Sequence, residues 1–416
     1  MTNASALTLH SWVPRSTSAL KVFLFGYVIL LPYQFQTGGG INFAPADCFL
    51  LLLLILAAGQ LNYRKDAWTA WHFGIALTFA AGSLVAALRF GAISRYELIN
   101  KDAGLLLPFL SYVAVTSWIV SWDDLRQILR VFTLSVVIQN AVMVTVFLAS
   151  YFFGVSNPFA RYEGLRLSGM LLDPNAYGGF LVMTLVLIEG AAHGPDPLFR
   201  KTTLMFSRVT LTLGILFTFS RSAWSALGLS MLLFAALRPW RAARLAVGAL
   251  LCAPFVVLLL GRRFVPIFEV LASRPKQVQG RFDLIHDALA AFARHPFLGG
   301  GIGAFRLGEG EIAHNSAMWF LADFGIPGLI VFLGFLGWFF VKGWFAYRSA
   351  PANRQPLTLA LLLAHTAMLG LAMGIEAFYQ RHWWLVFGMI ASSYSLTMRR
   401  TRDTATPKDG SDAQAC

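Results

Sequence analysis

The sequence predicts an all-α integral membrane protein, and its composition carries that prediction. Of its 416 residues, 57% are hydrophobic and only 13% are charged, whereas a soluble domain carries about 25% charged residues. The apolar residues fall in long runs, and only helices satisfy every backbone hydrogen bond over such a length of lipid. This composition excludes a soluble cytosolic enzyme, a disordered chain and a nucleic-acid-binding protein.

Apolar runs long enough to cross a membrane occur about twelve times along the chain. A hydrocarbon core about 30 Å thick requires roughly 20 apolar residues per helix. The seventh and eighth runs are separated by Ser220 and Arg221 alone, so the two could also form one broken element. The predicted spans are 18–36, 43–61, 69–88, 104–121, 127–153, 174–192, 203–219, 221–237, 242–260, 315–341, 357–376 and 382–398.

The basic residues predict the topology. With the N-terminus in the cytoplasm, 19 of the 33 Lys and Arg residues lie at cytoplasmic ends, and 14 lie outside. Seven of those 14 belong to the long segment 261–313, and long segments cross the membrane largely regardless of charge. The short loops therefore divide 19 to 7, which predicts that both termini are cytoplasmic. The net charge of +13 is interpreted as this topology signal and not as a surface for nucleic acid.

The spans and the topology divide the chain into four parts. A large outer loop between the ninth and tenth helices separates two membrane domains, and a short polar tail follows the last helix. The parts are a membrane domain of nine helices at 1–260, the loop at 261–313, a membrane domain of three helices at 314–398, and a cytoplasmic tail at 399–416.

Arginines dominate the predicted outer face. Twelve of the 14 outer basic residues are arginines, whose planar fork binds phosphate or carboxylate through two hydrogen bonds. Arg161 and Arg166 lie in one short outer loop, and Arg221 lies between two apolar runs with almost no loop around it. An ionisable group at membrane depth is a candidate functional residue. For Arg221 the alternative is a side chain that merely extends to the interface.

A turn at Asp173, Pro174 and Asn175 precedes the sixth span. Proline is favoured in the first turn of a helix, which makes Asp173 the expected N-cap. Asn175 then falls at the helix start, where backbone N–H groups favour an anion.

The long outer loop contains an amphipathic pattern. Phe282, Ile285, Leu289 and Phe292 are spaced by 3, 4 and 3 residues, which predicts a helix over 282–295 on the membrane surface or against the bundle. A glycine cluster follows at 299–303. We expect no strand before this cluster and no regular helix after it, so nucleotide binding is excluded.

His314 and Asn315 directly precede the tenth span. Histidine is the side chain best suited to proton transfer near neutral pH. Several arginines and one histidine suit an anionic, lipid-linked substrate, with the arginines neutralising a diphosphate and the histidine accepting a proton from a hydroxyl. The three cysteines have no metal-ligand spacing, and the outer carboxylates form no pair of the glycosidase type. We therefore expect neither a metal nor a cofactor.

These segments resemble the bacterial O-antigen ligase family, which also includes O-antigen polymerases and protein O-oligosaccharyltransferases. The order and spacing of the motifs, over most of residues 160–330, carry the resemblance. They are Arg166-Leu-Ser-Gly169 with Asp173-Pro174-Asn175, Thr218 with Ser220-Arg221-Ser222, Gly280-Arg281 with Ala288, Phe292, His295-Pro296, Gly299, Gly301 and Phe305, and His314-Asn315 with Gly325 and Gly328.

The resemblance implies a glycosyltransferase of the bacterial inner membrane. Such an enzyme transfers a glycan from undecaprenyl diphosphate to an acceptor on the periplasmic face, with inversion and without a metal. His314 matches the family's essential histidine, and Arg221 and Arg281 match the arginines of its Ser-Arg and Gly-Arg motifs. Arg166 matches the arginine before the Pro-Asn turn. Arg161 is added on charge and proximity alone, so the expected diphosphate ligands are Arg161, Arg166, Arg221 and Arg281. Asn175 and Asn315 are expected to support the acceptor or a turn.

The acceptor distinguishes the subfamilies, and we favour a ligase that uses lipid A–core. With a short tail after residue 399, we expect no additional periplasmic domain of the kind that many protein transferases carry there. An O-antigen polymerase remains an alternative. A second alternative is a non-enzymatic flippase for lipid-linked glycans, since twelve spans with both termini inside are also typical of transporters. However, the sequence has no obvious internal repeat, and its midspan regions are almost free of charge.

Overall fold

The computed structural model describes residues 18–36, 42–58, 67–161, 166–192, 194, 196–251, 254, 275–310 and 312–405, and these residues are mainly helical. Two antiparallel ribbons of two-residue strands are present, β1 (Phe35–Gln36) with β2 (Asn42–Phe43) and β3 (Ala160–Arg161) with β4 (Arg166–Leu167). The helices are α1 (Ser18–Leu30), α2 (Pro45–Ala57), α3 (Ala70–Phe90), α4 (Arg95–Glu97), a π-helical turn (Leu98–Ala103), α5 (Gly104–Trp118), α6 (Trp122–Phe153), α7 (Pro174–Ala191), α8 (Lys201–Thr218), α9 (Arg221–Leu237), α10 (239–251), α11 (Pro275–Arg294), α12 (Ala304–Glu309), α13 (Ser316–Ser349), α14 (Gln355–Ala372) and α15 (Arg381–Ala405).

The predicted class of an all-α membrane protein is confirmed. Within the described residues, five helical segments are long and apolar enough to cross a membrane, and three shorter helices are also apolar. The count of twelve spans and the division of the chain into four parts stay predictions. The five segments are Ala70–Phe90, Leu98–Trp118, Trp122–Ser150, Ser316–Ser349 and Gln355–Ala372.

The centre of the bundle is formed by α7, α9 and α14, which pack closely because glycines face neighbouring backbones. A Cβ at Gly190 of α7 would lie 2.4 Å from the Cα of Ala360 in α14. A Cβ at Gly370 of α14 would lie 2.8 Å from the Cα of Ala226 in α9. Small residues at such positions let helix backbones approach one another in lipid, where packing drives association.

Helix α13 is broken at Gly325, and the glycine loop at 299–303 fills the break. Gly325 has φ +68°, outside the helical region. The carbonyls of Ala322 and Asp323 accept hydrogen bonds from the N–H groups of Gly300 and Gly301, each at 2.9 Å. Since unpaired backbone groups are costly in the membrane, the loop stabilises the interrupted helix.

The side chain of Asp323 anchors the same loop. It is only 1% exposed. Its carboxylate accepts hydrogen bonds from the N–H groups of Gly303 (2.8 Å) and Phe305 (3.0 Å) and from Nε1 of Trp319 (2.8 Å). These contacts fix the start of α12. A short helix therefore follows the glycine cluster directly, and the expectation that no regular helix follows it is wrong.

The amphipathic helix predicted at 282–295 is present as α11 and begins earlier, at Pro275. It packs on α13 through a face that includes the buried Ala288 and the partly buried Leu284. Phe282 and Leu289, from the predicted apolar stripe, are 63% and 44% exposed. The contact face is therefore rotated by about one residue, or 100°, from the predicted stripe.

Acidic residues near the helix ends are paired with bases. Asp47 accepts two hydrogen bonds from Arg381, at 2.7 and 2.6 Å. Glu376, between α14 and α15, pairs with Lys101. These pairs neutralise charges that would otherwise be costly to bury.

The Asp323 anchor gives a test of the fold. Asp323→Ala removes the acceptor of three buried donors, so we expect the free energy of unfolding to fall by on the order of 3 kcal/mol. Thermal unfolding in detergent, followed by tryptophan fluorescence, measures this loss.

The matched control is Asp123→Ala. The Asp123 side chain is 84% exposed in its 3.6 Å contact with Arg354, and exposed pairs contribute about 1 kcal/mol or less. Equal unfolding temperatures for the two variants would contradict the anchoring role of Asp323.

Candidate functional site

Four of the residues predicted from sequence line one cavity of about 240 Å³: Arg221, Arg281, His314 and Asn315. They come from three separate parts of the chain, namely the start of α9, helix α11 and the residues that begin α13. The remaining lining residues are mainly apolar, and they are Phe282, Leu284, Ile285, Ala313, Met318, Met373 and Gly374.

Arg221 is the first residue of α9 and is exposed. The Oγ of Ser220 caps the helix by accepting a hydrogen bond from the N–H of Ala223, at 3.2 Å. A helix N-terminus carries partial positive charge, so a cation there is unfavourable by about 0.3–1 kcal/mol. Helix stability therefore gives no reason for an arginine at this position, whereas the binding of an anion does.

Arg281 reaches the cavity from the loop helix α11. Its Nη1 donates a hydrogen bond to Oγ of Ser222, at 3.2 Å. Ser222 is buried on α9, directly after Arg221. This contact brings the two guanidinium groups to the same cavity from two different helices.

His314 and Asn315 stand at the N-terminus of α13. Oδ1 of Asn315 caps the helix by accepting from the N–H groups of Ala317 (2.9 Å) and Met318 (3.1 Å). Its Nδ2 donates to the carbonyl of Met373, at 3.2 Å. Asn315 thus connects the start of α13 to Met373 in the cavity wall. This connection fixes the backbone next to His314.

Arg166 and Asn175 are not among the residues that line the cavity, but they contact Thr218 and Ser220, which come just before Arg221 in the chain. Nε of Arg166 donates to the carbonyl of Thr218 (2.8 Å), and Nη2 donates to Oδ1 of Asn175 (3.0 Å). The same Oδ1 accepts a hydrogen bond from Ser220 at 3.0 Å. The group is buried and spans the break between α8 and α9.

The break between α8 and α9 places one residue in an unfavourable backbone conformation. Phe219 has φ +47°, and a left-handed conformation costs an L-residue roughly 1–2 kcal/mol. The hydrogen bonds of Arg166 and Asn175 hold the residues on both sides of Phe219, and they set the point where Arg221 begins α9. The prediction that Asp173 caps α7 is confirmed, since its Oδ1 accepts from the N–H of Asn175 at 3.0 Å.

Arg161 lies on β3, where its backbone pairs in register with Arg166 of β4. The position of the Arg161 side chain falls outside the part of the chain that the structure describes. The proposed contact of Arg161 with a diphosphate therefore stays a prediction.

Sequence reasoning missed Ser222, Met373 and Gly374 as parts of the site. Ser222 belongs to the Ser220-Arg221-Ser222 motif, but it was not predicted as a site residue. Met373 and Gly374 lie in the connection between α14 and α15 and carry no local signal, because only the tertiary contacts to Asn315 and Ser222 bring them to the cavity.

The arrangement suits an anionic ligand with an apolar portion. Two guanidinium groups and the N-termini of α9 and α13 supply positive charge, and an imidazole lies beside them. Across the described residues, no group of three or more His, Cys, Asp or Glu side chains could hold a metal ion.

A family model described as O-antigen ligase matches residues 206–333. The matched segment contains Arg221, Arg281, His314 and Asn315, and so includes every predicted residue that lines the cavity. The match supports assignment of the chain to the O-antigen ligase family.

The match agrees with the resemblance seen in the sequence motifs. Arg161, Arg166 and Asn175 lie before the matched O-antigen ligase segment, although Arg166 and Asn175 contact it at Thr218 and Ser220. No curated protein matches the chain.

The different surroundings of two arginines give a second prediction. Arg166→Ala leaves the buried carbonyl of Thr218 without this donor, so we expect a loss of about 1–3 kcal/mol in the free energy of unfolding. Arg221→Ala removes an exposed side chain and should change stability by about 0.5 kcal/mol or less. Thermal unfolding of both variants in one detergent measures the difference, and a larger loss for Arg221→Ala would contradict these roles.

Proposed function

We propose that the protein is a glycosyltransferase that transfers O-antigen polysaccharide from undecaprenyl diphosphate to a sugar hydroxyl of lipid A–core. The observation that carries the proposal is the convergence of Arg221, Arg281 and His314 on one cavity. Enzymes of the O-antigen ligase family use lipid-linked glycans and lipid acceptors in general. Undecaprenyl diphosphate with its glycan and lipid A–core are the specific donor and acceptor that we favour.

The two arginines bind the diphosphate of the donor. Guanidinium groups match phosphate oxygens through paired, charge-assisted hydrogen bonds, and they neutralise the charge that develops on the departing diphosphate. The apolar side chains of Leu284 and Ile285 line the same cavity and suit the first part of the polyprenyl chain.

His314 acts on the acceptor. Its imidazole accepts the proton of the attacking sugar hydroxyl, while the acceptor oxygen forms a bond to the anomeric carbon of the glycan. The bond from that carbon to the phosphate oxygen breaks, and undecaprenyl diphosphate leaves with the electron pair. Attack opposite the leaving group inverts the anomeric centre, and the reaction needs neither a metal nor a cofactor.

Twelve spans with both termini in the cytoplasm complete the proposal. In this topology the starts of α9 and α13 open toward the periplasm, and the cavity meets the donor at the outer leaflet of the bacterial inner membrane. The positive N-terminal ends of two helices at that interface support the binding of an anionic lipid head group.

Reconstitution of the full chain in liposomes tests the reaction. The donor is undecaprenyl diphosphate with its glycan, the acceptor is lipid A–core, and a chelator removes metals. We expect glycan-bearing lipid A on a gel. Longer glycans on the lipid-linked donor would instead indicate a polymerase, and movement of glycolipid between leaflets without a new product would indicate a transporter.

The proposed base gives a third prediction. His314→Ala should lower the rate of transfer by about 10²- to 10⁴-fold, the usual contribution of a general base, while donor binding is retained. Rates from the reconstituted assay and binding of undecaprenyl diphosphate measure the two effects.

The control for this variant is His286→Ala. His286 is exposed on α11 and is not among the residues that line the cavity. Transfer by His314→Ala at the wild-type rate would remove His314 from the mechanism.

The proposed phosphate contact gives a fourth prediction. Arg221→Lys keeps the charge but loses the planar fork, so we expect transfer to fall about tenfold or more, as for the loss of one charged hydrogen bond. Arg294→Lys, an exposed arginine on α11, should transfer at the wild-type rate. Full activity of Arg221→Lys would show that charge alone suffices at this position.

A further inference from the structure

Ser222 connects three parts of the candidate site through one hydroxyl. Its Oγ accepts a hydrogen bond from Nη1 of Arg281 at 3.2 Å and donates to the carbonyl of Gly374 at 3.5 Å. Ser222 itself is 3% exposed on α9. The hydroxyl therefore links the loop helix α11, the bundle helix α9 and the connection between α14 and α15.

Gly374 allows this contact because it has no side chain. A Cβ at Gly374 would lie 2.2 Å from Oγ and 2.7 Å from Cβ of Ser222. Both distances are shorter than real Cβ contacts, so any larger residue would displace the serine or the connection. Because residue 374 is a glycine, its backbone lies close to Ser222 and its carbonyl can accept the hydroxyl proton. The lone pairs of Oγ then face Arg281.

The direction of these bonds matters for Arg281. Arginine is a flexible side chain, and fixing it in one rotamer costs up to about 2 kcal/mol of conformational entropy. A guanidinium that is already oriented before the ligand arrives does not have to lose this freedom on binding. Because the hydroxyl proton of Ser222 is directed to the carbonyl of Gly374, the lone pairs of its Oγ are available to accept from Arg281.

We propose that Ser222 is a positioning residue that holds the guanidinium of Arg281 toward the cavity for the diphosphate of the donor. This inference rests on the proposed function, because it assigns Arg281 a diphosphate to bind. Ser222 acts through Arg281 and does not itself touch the reacting atoms. Gly374 acts together with Ser222, since its carbonyl orients the serine hydroxyl.

Binding of undecaprenyl diphosphate to the full chain in nanodiscs tests the proposal apart from turnover. Ser222→Ala should weaken the affinity about three- to tenfold, as expected for one hydrogen bond. Gly374→Ala should weaken it to a similar extent, because its methyl group displaces the same hydroxyl. Ser225→Ala is the control, since Ser225 is exposed on the same helix and its hydroxyl donates to the carbonyl of Arg221 within that helix.

A double-mutant cycle separates positioning from a general structural effect. When Arg281 is already alanine, Ser222→Ala should change the affinity by less than about twofold, because coupled residues are not additive. Thermal unfolding of each variant is measured in parallel. We expect the unfolding temperature of Ser222→Ala to remain close to that of the wild type.

The outcomes distinguish the inference from the proposed function. If the wild type binds undecaprenyl diphosphate and Ser222→Ala binds it equally well, the positioning role is overturned and the proposed function stands. If Ser222→Ala weakens binding equally with and without Arg281, the serine acts on structure and the positioning role is likewise overturned. If the wild type does not bind undecaprenyl diphosphate, both the proposed function and the inference fail.

Discussion

The rest of the structure depends on one constraint, which is that backbone groups at an interrupted helix in a membrane must find new partners. Two such interruptions lie within the described residues. At Gly325, the glycine loop pairs with the freed carbonyls of α13 and Asp323 binds the loop. At Phe219, Arg166 and Asn175 hold the break between α8 and α9. The first break fixes the segment that follows α11, and the second sets the start of α9, so both support residues that line the cavity.

The interruption at Phe219 also contributes to the electrostatics of the site. Where the chain breaks and a new helix begins, the new N-terminus presents unpaired N–H groups and a partial positive charge. The starts of α9 and α13 both reach the cavity, and Arg221 and Arg281 add full charges there. Such an accumulation of positive charge opposes stability, which agrees with a site that selects an anionic ligand.

The sequence predicted those site residues that a local pattern marks. It did not predict the residues that only tertiary contacts bring to the site. Arg221 was marked by its position in a break between apolar runs, and His314 and Asn315 by their position before a span. All three line the cavity. Arg166 was predicted as a diphosphate ligand. The structure shows its hydrogen bonds to Thr218 and Asn175 at the break between α8 and α9, and its contact with a diphosphate stays a prediction. The entry of Gly300 and Gly301 into the break of α13, and the contact of Gly374 with Ser222, join residues far apart in the chain and leave no pattern to recognise.

The central claim is that Arg221 and Arg281 bind a lipid-linked diphosphate beside His314. A cryo-electron microscopy map of the full chain in nanodiscs with undecaprenyl diphosphate tests it most directly. The account predicts two phosphate densities between the guanidinium groups of Arg221 and Arg281, with the imidazole of His314 facing the terminal phosphate, which carries the glycan in the donor. Diphosphate density bound elsewhere, with the cavity lacking any phosphate, would contradict it.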